Sequence, residues 1–246
     1  MRFAVAGGTG LIGRLVVEQA RAAGHHVVII SRSSGVDLTT GAGLDDALRE
    51  VGAVIDVTNV VTLKRDVSVR FFEQVTRTLN EGEKRAGVAH HVVLSIVGVD
   101  RVEFGYYQGK LRQEELALSS GVPATVLRAT QFFEFAGQQL SNLGGPLAVV
   151  PKMRTQPVAA AEVATELVRL AEGPALGLAP DIAGPQILEM SAMARRVSRA
   201  HGPRKLVLGI PLPGAAGKAM RTGALIPTAA GPRGTTTFDE WLAKRP

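Results

Sequence analysis

The amino-acid sequence predicts a doubly wound α/β fold with a mainly parallel sheet, and three observations support this prediction. First, short apolar runs recur along the chain, as expected for strands that are buried on both faces of a parallel sheet. Second, segments with helical spacing of apolar residues separate these runs, so right-handed crossovers would place helices on both faces. Third, a glycine-rich turn joins the first run to the first helix. The predicted strands are Phe3–Ala6, Val27–Ile30, Ala53–Val57, His91–Ser95, Ala124–Arg128, Leu147–Val150 and Leu206–Ile210.

The first turn carries the clearest functional pattern, because three glycines follow the strand Phe3–Ala6 at a spacing of three. A predicted helix, Leu11–Ala23, begins inside the motif. The N-terminus of a helix offers free N–H groups and a partial positive charge, and glycines let a phosphate approach the backbone. The pattern therefore predicts a dinucleotide pyrophosphate site, although glycines used only for packing remain the alternative. Its residues are Gly7, Thr9, Gly10, Leu11, Ile12 and Gly13.

The end of the second strand bears on which dinucleotide is bound. Arg32 stands 19 residues after Gly13, between Ser31 and Ser33. An acidic residue at this point would accept a hydrogen bond from the adenosine ribose and select NAD. Guanidinium and serine donors instead suit a 2′-phosphate, so the sequence favours NADP and leaves NAD as the second choice. The alternative is that Arg32 is an ordinary surface arginine.

Two further groups of residues are predicted to contact the cofactor from the loops that follow strands. Asp37 and Leu38 follow the second strand after a short loop and are placed to approach the adenine edge. Thr58, Asn59 and Val60 follow the third strand, at the edge of the sheet where ligands collect in open α/β folds.

A tyrosine and a lysine, Tyr106 and Lys110, suggest catalysis. A helix is predicted to begin near Gly105 and to continue through Leu118, so side chains four residues apart share one face. Lys110 beside a phenol would lower the pKa of that phenol, which could then exchange a proton with a substrate oxygen. Ser95, eleven residues upstream, could position that oxygen. Tyr107 is a rival proton donor, and a packing tyrosine beside a solvated lysine is the structural alternative.

In sequence order, these motifs resemble those of the atypical short-chain dehydrogenases/reductases, near the NmrA-like NAD(P)H-binding proteins and the extended nucleotide-sugar epimerases. The resemblance covers about residues 1–170. It implies a Rossmann domain with Gly7, Gly10 and Gly13 at the pyrophosphate, Lys110 at the nicotinamide ribose, and Tyr106 and Ser95 as catalytic groups. The segment that resembles the family's nicotinamide-end motif is Leu127-Arg-Ala-Thr-Gln-Phe132, so the resemblance implies contacts from Thr130, Gln131 and Phe132. It also implies that the loop carrying Lys152, Met153 and Arg154 lies over the substrate.

The chain departs from this family pattern in three ways. Arg32 replaces the acidic residue expected after the second strand, the loop to Asp37 is short, and the long substrate domain of full epimerases is missing. We expect a single domain over residues 1–246, with residues from about 173 onward forming a small cap. Ile187–Ala200 and Ala215–Arg221 are predicted helices of that cap. Phe132, Phe133 and Phe135 either wall a pocket or form the core of the helix that follows them.

Composition and charge narrow the function classes. The chain has no cysteine, and its paired histidines read as turn or strand-entry residues, so no metal site is expected. No apolar run reaches the length of a membrane span, and no leader precedes the first strand, so a cytoplasmic protein is expected. The net charge of +6 lies in residues 181–246, with 10 basic and 4 acidic side chains. No interleaved aromatic residues or nucleic-acid motif accompany this charge, which makes nucleic acid an improbable partner.

The predicted function is that of an NADP-dependent oxidoreductase acting on a small carbonyl, quinone or activated alkene. A redox sensor that holds NADP without turnover is the first alternative, supported by the cofactor motif and the basic C-terminal quarter. A nucleotide-sugar epimerase or dehydratase is the second, which Arg32 and the short C-terminal part argue against. A small-molecule substrate is the expected partner, and the resemblance is compatible with a homodimer.

Overall fold

The computed structural model describes residues 1–141, 145–201 and 204–244. The strands are β1 (Arg2–Ala6), β2 (His26–Ile30), β3 (Ala53–Asp56), β4 (His90–Ile96), β5 (Ala124–Ala129), β6 (Leu147–Pro151), β7 (Arg154–Thr155), β8 (Gly177–Leu178), β9 (Leu188–Glu189) and β10 (Leu206–Ile210). The helices are α1 (Leu11–Ala22), α2 (Leu44–Ala47), α3 (Arg65–Ala86), α4 (Gly105–Leu118), α5 (Phe133–Ser141), α6 (Ala160–Glu172), α7 (Met190–His201), α8 (Gly214–Arg221) and α9 (Phe238–Lys244).

The largest sheet has six parallel strands. Its strand order is β2-β1-β3-β4-β5-β8, with Phe3 paired to Val27 on one side and to Ala53 on the other. The side chains of β1 from Phe3 to Ala6 are fully buried, as an apolar run covered on both faces requires. The predicted doubly wound α/β fold is confirmed.

Helices cover this sheet through alternating apolar side chains. A buried cluster joins Ala4 of β1 and Val54 of β3 to Leu44 of α2 and Leu79 of α3. A second cluster joins Val93 of β4, Ala117 of α4 and Val126 of β5. Because successive residues of a strand face opposite sides of the sheet, the remaining apolar residues of the same strands point to the other face.

The strand order reverses between β1 and β3, and in open α/β sheets such a reversal indicates where a ligand binds. The chain runs from β1 outward to β2 and then returns to β3 on the other side of β1. The loops that leave β1 and β3 therefore diverge, and a crevice opens outside the carboxyl ends of these two strands. The glycine turn after Ala6 and the segment after Asp56 both begin there.

The chain divides into two compact units. The first comprises Met1–Ser95, Phe104–Arg128 and Val163–Ala179, and the second comprises Ile96–Glu103, Ala129–Glu162 and Pro180–Pro246. Within the second unit, β6 pairs with β10 in parallel and β7 pairs with β9 antiparallel. The expectation that residues 173–246 cap a single domain stays a prediction.

Two of the predicted helices begin or end differently in the structure. The helix expected over Ile187–Ala200 begins only at Met190, because Leu188 and Glu189 are extended and pair with Thr155 and Arg154. The sequence also predicts a short helix over Leu44–Val51, and in the structure this helix ends at Ala47. Glu50 has φ of 58°, in the left-handed region, which a right-handed helix does not accommodate.

The alternative roles of three phenylalanines are resolved in part. Phe133 is buried in α5, and its ring packs against Phe238 and Trp241 with centroids 5.5 and 5.7 Å away. Phe133 therefore belongs to the core of the second unit, whereas Phe132 and Phe135 are half-buried. In the described part of the chain, no helix is both long enough and apolar enough to span a membrane.

Candidate nucleotide-binding and catalytic site

The glycine turn has the geometry of a close backbone cradle. Gly7 has φ of +78°, and a Cβ atom there would lie 2.9 Å from the carbonyl oxygen of Val57. A Cβ atom on Gly13 would lie 2.1 Å from the carbonyl oxygen of Gly7. Side chains at these two positions would push α1 away from the turn or the turn away from β3. The absence of side chains therefore lets helix, turn and strand meet at one point.

The start of α1 presents hydrogen-bond donors at this point. Arg14 N donates to Gly10 O at 3.0 Å, so the N–H groups of Leu11, Ile12 and Gly13 precede the helical ladder. The α1 N-terminus has no acidic side chain in its first turn, and Gly10 provides no side-chain cap. Thr9, Gly10 and Leu11 are exposed, whereas Ile12 and Gly13 are buried. An anion at the turn would thus meet unblocked donors and the positive end of the helix dipole.

The segment after β2 is a compact hydroxyl-rich turn with an exposed arginine. Arg32–Ser34 form one turn of 3₁₀-helix, and Ser31 caps it with its hydroxyl. The Ser31 hydroxyl lies 3.0 Å from the hydroxyls of both Ser33 and Ser34. Ser34 Oγ donates to Ile29 O at 2.8 Å, which ties the turn to the strand. Arg32 is exposed at this rigid turn, in the position predicted for the ribose of the cofactor.

Asp37 and Leu38 have different environments. Asp37 Oδ1 accepts hydrogen bonds from Thr39 Oγ1 at 2.7 Å and from Thr39 N at 2.8 Å. These bonds lower the pKa of the Asp37 carboxyl, and the charge of Arg32 lowers it further. Leu38 is buried in the apolar cluster under β1 to β3, so its side chain contributes to the core.

The segment after β3 meets the tyrosine predicted for catalysis. Tyr106 Oη donates to Asn59 Oδ1 at 2.6 Å, and Val60 N donates to the same oxygen at 2.9 Å. Asn59 is exposed, Val60 is half-buried and Thr58 is buried. A predicted catalytic hydroxyl and a predicted cofactor contact are therefore in direct contact at the carboxyl edge of the sheet.

The two tyrosines are distinguished by this contact. Tyr106 is half-buried with its hydroxyl on Asn59, whereas Tyr107 is buried with its ring edge-on to Phe104 at 5.5 Å. Burial raises the pKa of Tyr106, and Tyr107 raises it further. The lowering of this pKa that the Tyr-x-x-x-Lys spacing predicts is thus not found. The Tyr106 hydroxyl lies on Asn59, whereas the Lys110 ammonium is held by Leu94 O and Gln113, and Lys110 is not among the groups that shift this pKa.

Lys110 points into the interior of the first unit. Its Nζ donates to Leu94 O at 2.5 Å and to Gln113 Oε1 at 2.5 Å, and it lies 4.8 Å from the centroid of the Phe72 ring. Burial lowers the pKa of Lys110 to about 8, although the carboxylates of Asp56 and Glu114 favour its charged form. A solvated lysine, the structural alternative, is therefore wrong.

A cluster of buried polar side chains surrounds Lys110, and the sequence prediction missed most of it. Gln113 Nε2 donates to Asp56 Oδ2 at 2.7 Å, and Asp56 Oδ1 accepts from Thr58 N at 2.8 Å. His91, read from the sequence as a strand-entry residue, is fully buried and 2.9 Å from Glu83 Oε2. The sequence could have predicted the burial of Glu83, because this residue stands four positions after Leu79 on the apolar face of α3.

Ser95 is buried near the end of β4, where the prediction placed a group that positions a substrate oxygen. Its exposed fraction is 2%, and its hydroxyl has no hydrogen-bond partner among the described residues. A buried hydroxyl without a partner is uncommon and is consistent with a site for a ligand atom.

The residues implied at the nicotinamide end belong to the second unit. Thr130 Oγ1 donates to Gln156 O at 2.6 Å, and the amide oxygen of Gln131 accepts a hydrogen bond from Thr155. Gln131 Nε2 is buried without a partner in the described chain, so one donor remains to be satisfied. Phe132 forms a single bridge with Val158.

The loop expected over the substrate lines a shallow cleft in the second unit. Lys152, Met153 and Arg154 form one side of a cavity of about 440 Å³, with Glu189 and Arg221 also at its wall. Three of these five side chains are cationic, and Met153 is buried. The cleft therefore combines an apolar wall with positive charge. Across the described ranges, no group of three histidine or acidic side chains is arranged to hold a metal ion.

Comparisons with known proteins find similar folds but no matching family or curated sequence. No protein-family model matches the chain, and no curated protein matches it by sequence. A nucleoside-diphosphate-sugar epimerase from Staphylococcus aureus is similar in structure, with a TM-score of 0.72 at 15% identity over 99% of this chain and 100% of the other. An NADPH-dependent quinone oxidoreductase from Escherichia coli, complexed with NADPH, gives 0.71 at 18% identity over 98% of each chain.

A third structure, a short-chain dehydrogenase/reductase superfamily protein from Agrobacterium tumefaciens with bound NAD, gives a TM-score of 0.70 at 19% identity. The match covers 99% of this chain and 95% of the other. At these identities the comparisons establish the fold. The chain has the Rossmann-type α/β fold of these three structures, as its motifs predict.

Proposed function

We propose that the protein is an NADP-dependent oxidoreductase that transfers a hydride between the nicotinamide and a small carbonyl, quinone or activated alkene. The observation that carries this proposal is the glycine turn, where a side chain at Gly13 would clash with the backbone of Gly7 at the start of α1. The bound dinucleotide supplies the hydride chemistry, and the protein supplies orientation and proton transfer. Proteins with this fold include a quinone oxidoreductase complexed with NADPH and a dehydrogenase/reductase with NAD.

The preference for NADP rests on the turn after β2. Arg32 is exposed, and Ser31 and Ser33 provide hydroxyls at the same turn. A guanidinium and hydroxyl donors bind a phosphate dianion with charge-assisted hydrogen bonds, which are stronger than neutral ones. An acidic side chain in the place of Arg32 would repel the same phosphate.

The proton that accompanies the hydride is assigned to Tyr106. When the substrate is a carbonyl, the hydride adds to its carbon atom and the Tyr106 hydroxyl gives its proton to the oxygen, which yields an alcohol. In this proposal the Lys110 ammonium holds the nicotinamide ribose and supports the phenolate that remains by its charge, and the Ser95 hydroxyl donates to the substrate oxygen. The contact between Tyr106 and Asn59 keeps the hydroxyl at the carboxyl edge of the sheet before substrate binds.

Calorimetric titration of the wild type, Arg32→Ala and Arg21→Ala with NADPH and NADH tests the proposal. Arg21 is the matched control, since it is also exposed but lies in the last turn of α1. We expect wild type and Arg21→Ala to prefer NADPH, and Arg32→Ala to lose roughly 10- to 100-fold in NADPH affinity with little change for NADH.

Three other results would change the conclusion. Equal binding of NADH and NADPH by the wild type would refute the NADP preference and favour an epimerase-like function. Failure to bind either dinucleotide would make the glycine turn a packing feature. Tight NADPH binding without oxidation of NADPH across carbonyls and quinones would favour the redox-sensor alternative.

A further inference from the structure

A line of buried polar side chains leads from α3 to the Lys110 ammonium. Glu83 Oε2 lies 2.9 Å from His91 Nδ1, and His91 Nε2 lies 4.0 Å from Asp56 Oδ2. All three side chains are fully buried. Burial opposes the charged imidazolium, but the Glu83 and Asp56 carboxylates outweigh it and raise the pKa of His91. The His91 imidazole therefore lies between two carboxylates in the interior.

Gln113 joins this line to Lys110. Its Nε2 donates to Asp56 Oδ2 at 2.7 Å, and its Oε1 accepts from Lys110 Nζ at 2.5 Å. The orientation of the amide is determined by its neighbours, because an ionised carboxylate only accepts and an ammonium only donates hydrogen bonds. A flipped amide would face donor to donor and acceptor to acceptor. Gln113 is therefore an amide link in a series in which acidic and basic side chains alternate.

We propose that Gln113 is a positioning residue that fixes the Lys110 ammonium and couples it to the buried Asp56 carboxylate. The proposal rests on the proposed function, in which Lys110 supports the Tyr106 phenolate and holds the nicotinamide ribose. Gln113 and the Leu94 carbonyl take two of the three ammonium hydrogens, which leaves the third for the cofactor. The Phe72 ring limits the movement of the ammonium from a third side.

The charged groups around Lys110 make this coupling measurable. The carboxylates that favour its charged form are Asp56 on β3 and Glu114 on α4, and Glu114 is itself paired with Arg128 of β5. Gln113 is hydrogen-bonded to both Asp56 and Lys110, whereas the contact between Glu114 and Arg128 does not involve this amide. Removing the amide should therefore disturb the influence of Asp56 on Lys110 and leave the Glu114 pair in place.

The first measurement uses the unaltered protein. Nuclear magnetic resonance of protein labelled with ¹³C and ¹⁵N in lysine and glutamine side chains follows Lys110 Nζ and the Gln113 amide group from pH 6 to 10. Lys110→Met and Gln113→Met assign the two signals. We expect both to titrate with one midpoint near pH 8. A Gln113 amide signal that stays constant while Lys110 titrates would overturn the proposal.

The second measurement compares variants in the same experiment. Gln113→Met removes the ammonium acceptor at similar volume, and we expect the Lys110 midpoint to fall by about one pH unit. Asp56→Asn alone should also lower the Lys110 midpoint. In protein that already carries Gln113→Met, the same Asp56→Asn substitution should lower it by much less. The matched control is Asn80→Leu, which removes another buried amide, one that donates to Leu116 O at 3.0 Å. An unchanged midpoint in Gln113→Met, additive effects of the two substitutions, or an equal shift in Asn80→Leu would each contradict the coupling.

Failure of this proposal is distinguishable from failure of the proposed function. The titrations are made without cofactor, so they report on Gln113 and Lys110 whether or not NADPH binds. If the coupling is found, Gln113→Met is also expected to weaken NADPH binding several-fold in calorimetry, while Asn80→Leu does not. Unchanged NADPH affinity in Gln113→Met would remove the functional part of the proposal.

Discussion

Replacing Lys110 by methionine should change how the free energy of unfolding depends on pH. Burial lowers the pKa of Lys110 to about 8 in the folded protein, from 10.5 for an unperturbed lysine. Between these two pH values the unfolded chain binds more protons at this position than the folded chain does. The stability of the wild type must therefore rise with pH in that window, relative to a variant without the ammonium.

The size of the effect follows from the same two values. A pKa difference of one unit corresponds to about 1.4 kcal/mol, so the fall from 10.5 to about 8 corresponds to about 3 kcal/mol. Below pH 8 the wild type carries the full cost of burying the charge, and near pH 11 it carries almost none. Methionine also leaves Leu94 O and Gln113 Oε1 without their donor, which affects stability at every pH. Only the change with pH isolates the ionisation.

Urea unfolding of wild type and Lys110→Met at closely spaced pH values from 6.5 to 10.5 measures this difference. Lys84→Met is the matched control, because Lys84 is an exposed lysine in the last turn of α3. As the pH rises through this range, the free energy of unfolding of the wild type should increase by about 3 kcal/mol relative to that of Lys110→Met. A constant or falling difference would refute the inward, poorly solvated placement of the ammonium. If the unfolding free energy of the wild type rose by the same amount relative to Lys84→Met, the effect would come from net charge and not from the buried ammonium.

Three further predictions concern the turn, the phenol and the buried histidine. Gly13→Ala should abolish NADPH binding and lower the melting temperature, whereas Gly173→Ala, with no atom closer than 3.7 Å to the new Cβ, should change neither in calorimetry or thermal melting. Tyr106→Phe should reduce NADPH oxidation by a small quinone roughly 100-fold or more, and Tyr107→Phe by far less; equal losses would remove the assignment. Because the pKa of His91 is raised from 6.5, its charge stabilises the fold below pH 6.5, and this contribution is lost as pH rises. The advantage of wild type over His91→Asn in urea unfolding should therefore be larger at pH 6 than at pH 9.

The central sheet could be predicted from the sequence because its strands are covered on both faces. Such strands read as uninterrupted apolar runs, and the runs beginning at Phe3 and Ala53 are strands in the structure. The two-residue strands β7, β8 and β9 could not be found in this way. Each is defined only by a pairing with a segment far along the chain, and the sequence carries no local pattern for that.

The candidate site was predictable only where it follows the geometry of strand ends. The glycine turn and Asn59 both follow strands that meet at one edge of the sheet, so their nearness is a consequence of the fold. The pKa of Tyr106 was not predictable from its spacing to Lys110. Spacing indicates that two side chains share a helix face, but the burial of each group, which sets the sign of the shift, depends on the packing of other elements against that face.

The buried polar cluster is difficult to explain by stability alone. Replacing buried ionic groups with apolar side chains of similar size is often neutral or stabilising, so the presence of such groups is weak evidence that they hold a fold together. Here acidic and basic side chains alternate among the four ionisable members, which with Gln113 come from α3, β3, β4 and α4. The series ends at the lysine on the same helix as Tyr106, four residues away. In the proposed function the Lys110 charge takes part in the reaction, and this cluster would then provide the compensation that a buried ammonium needs.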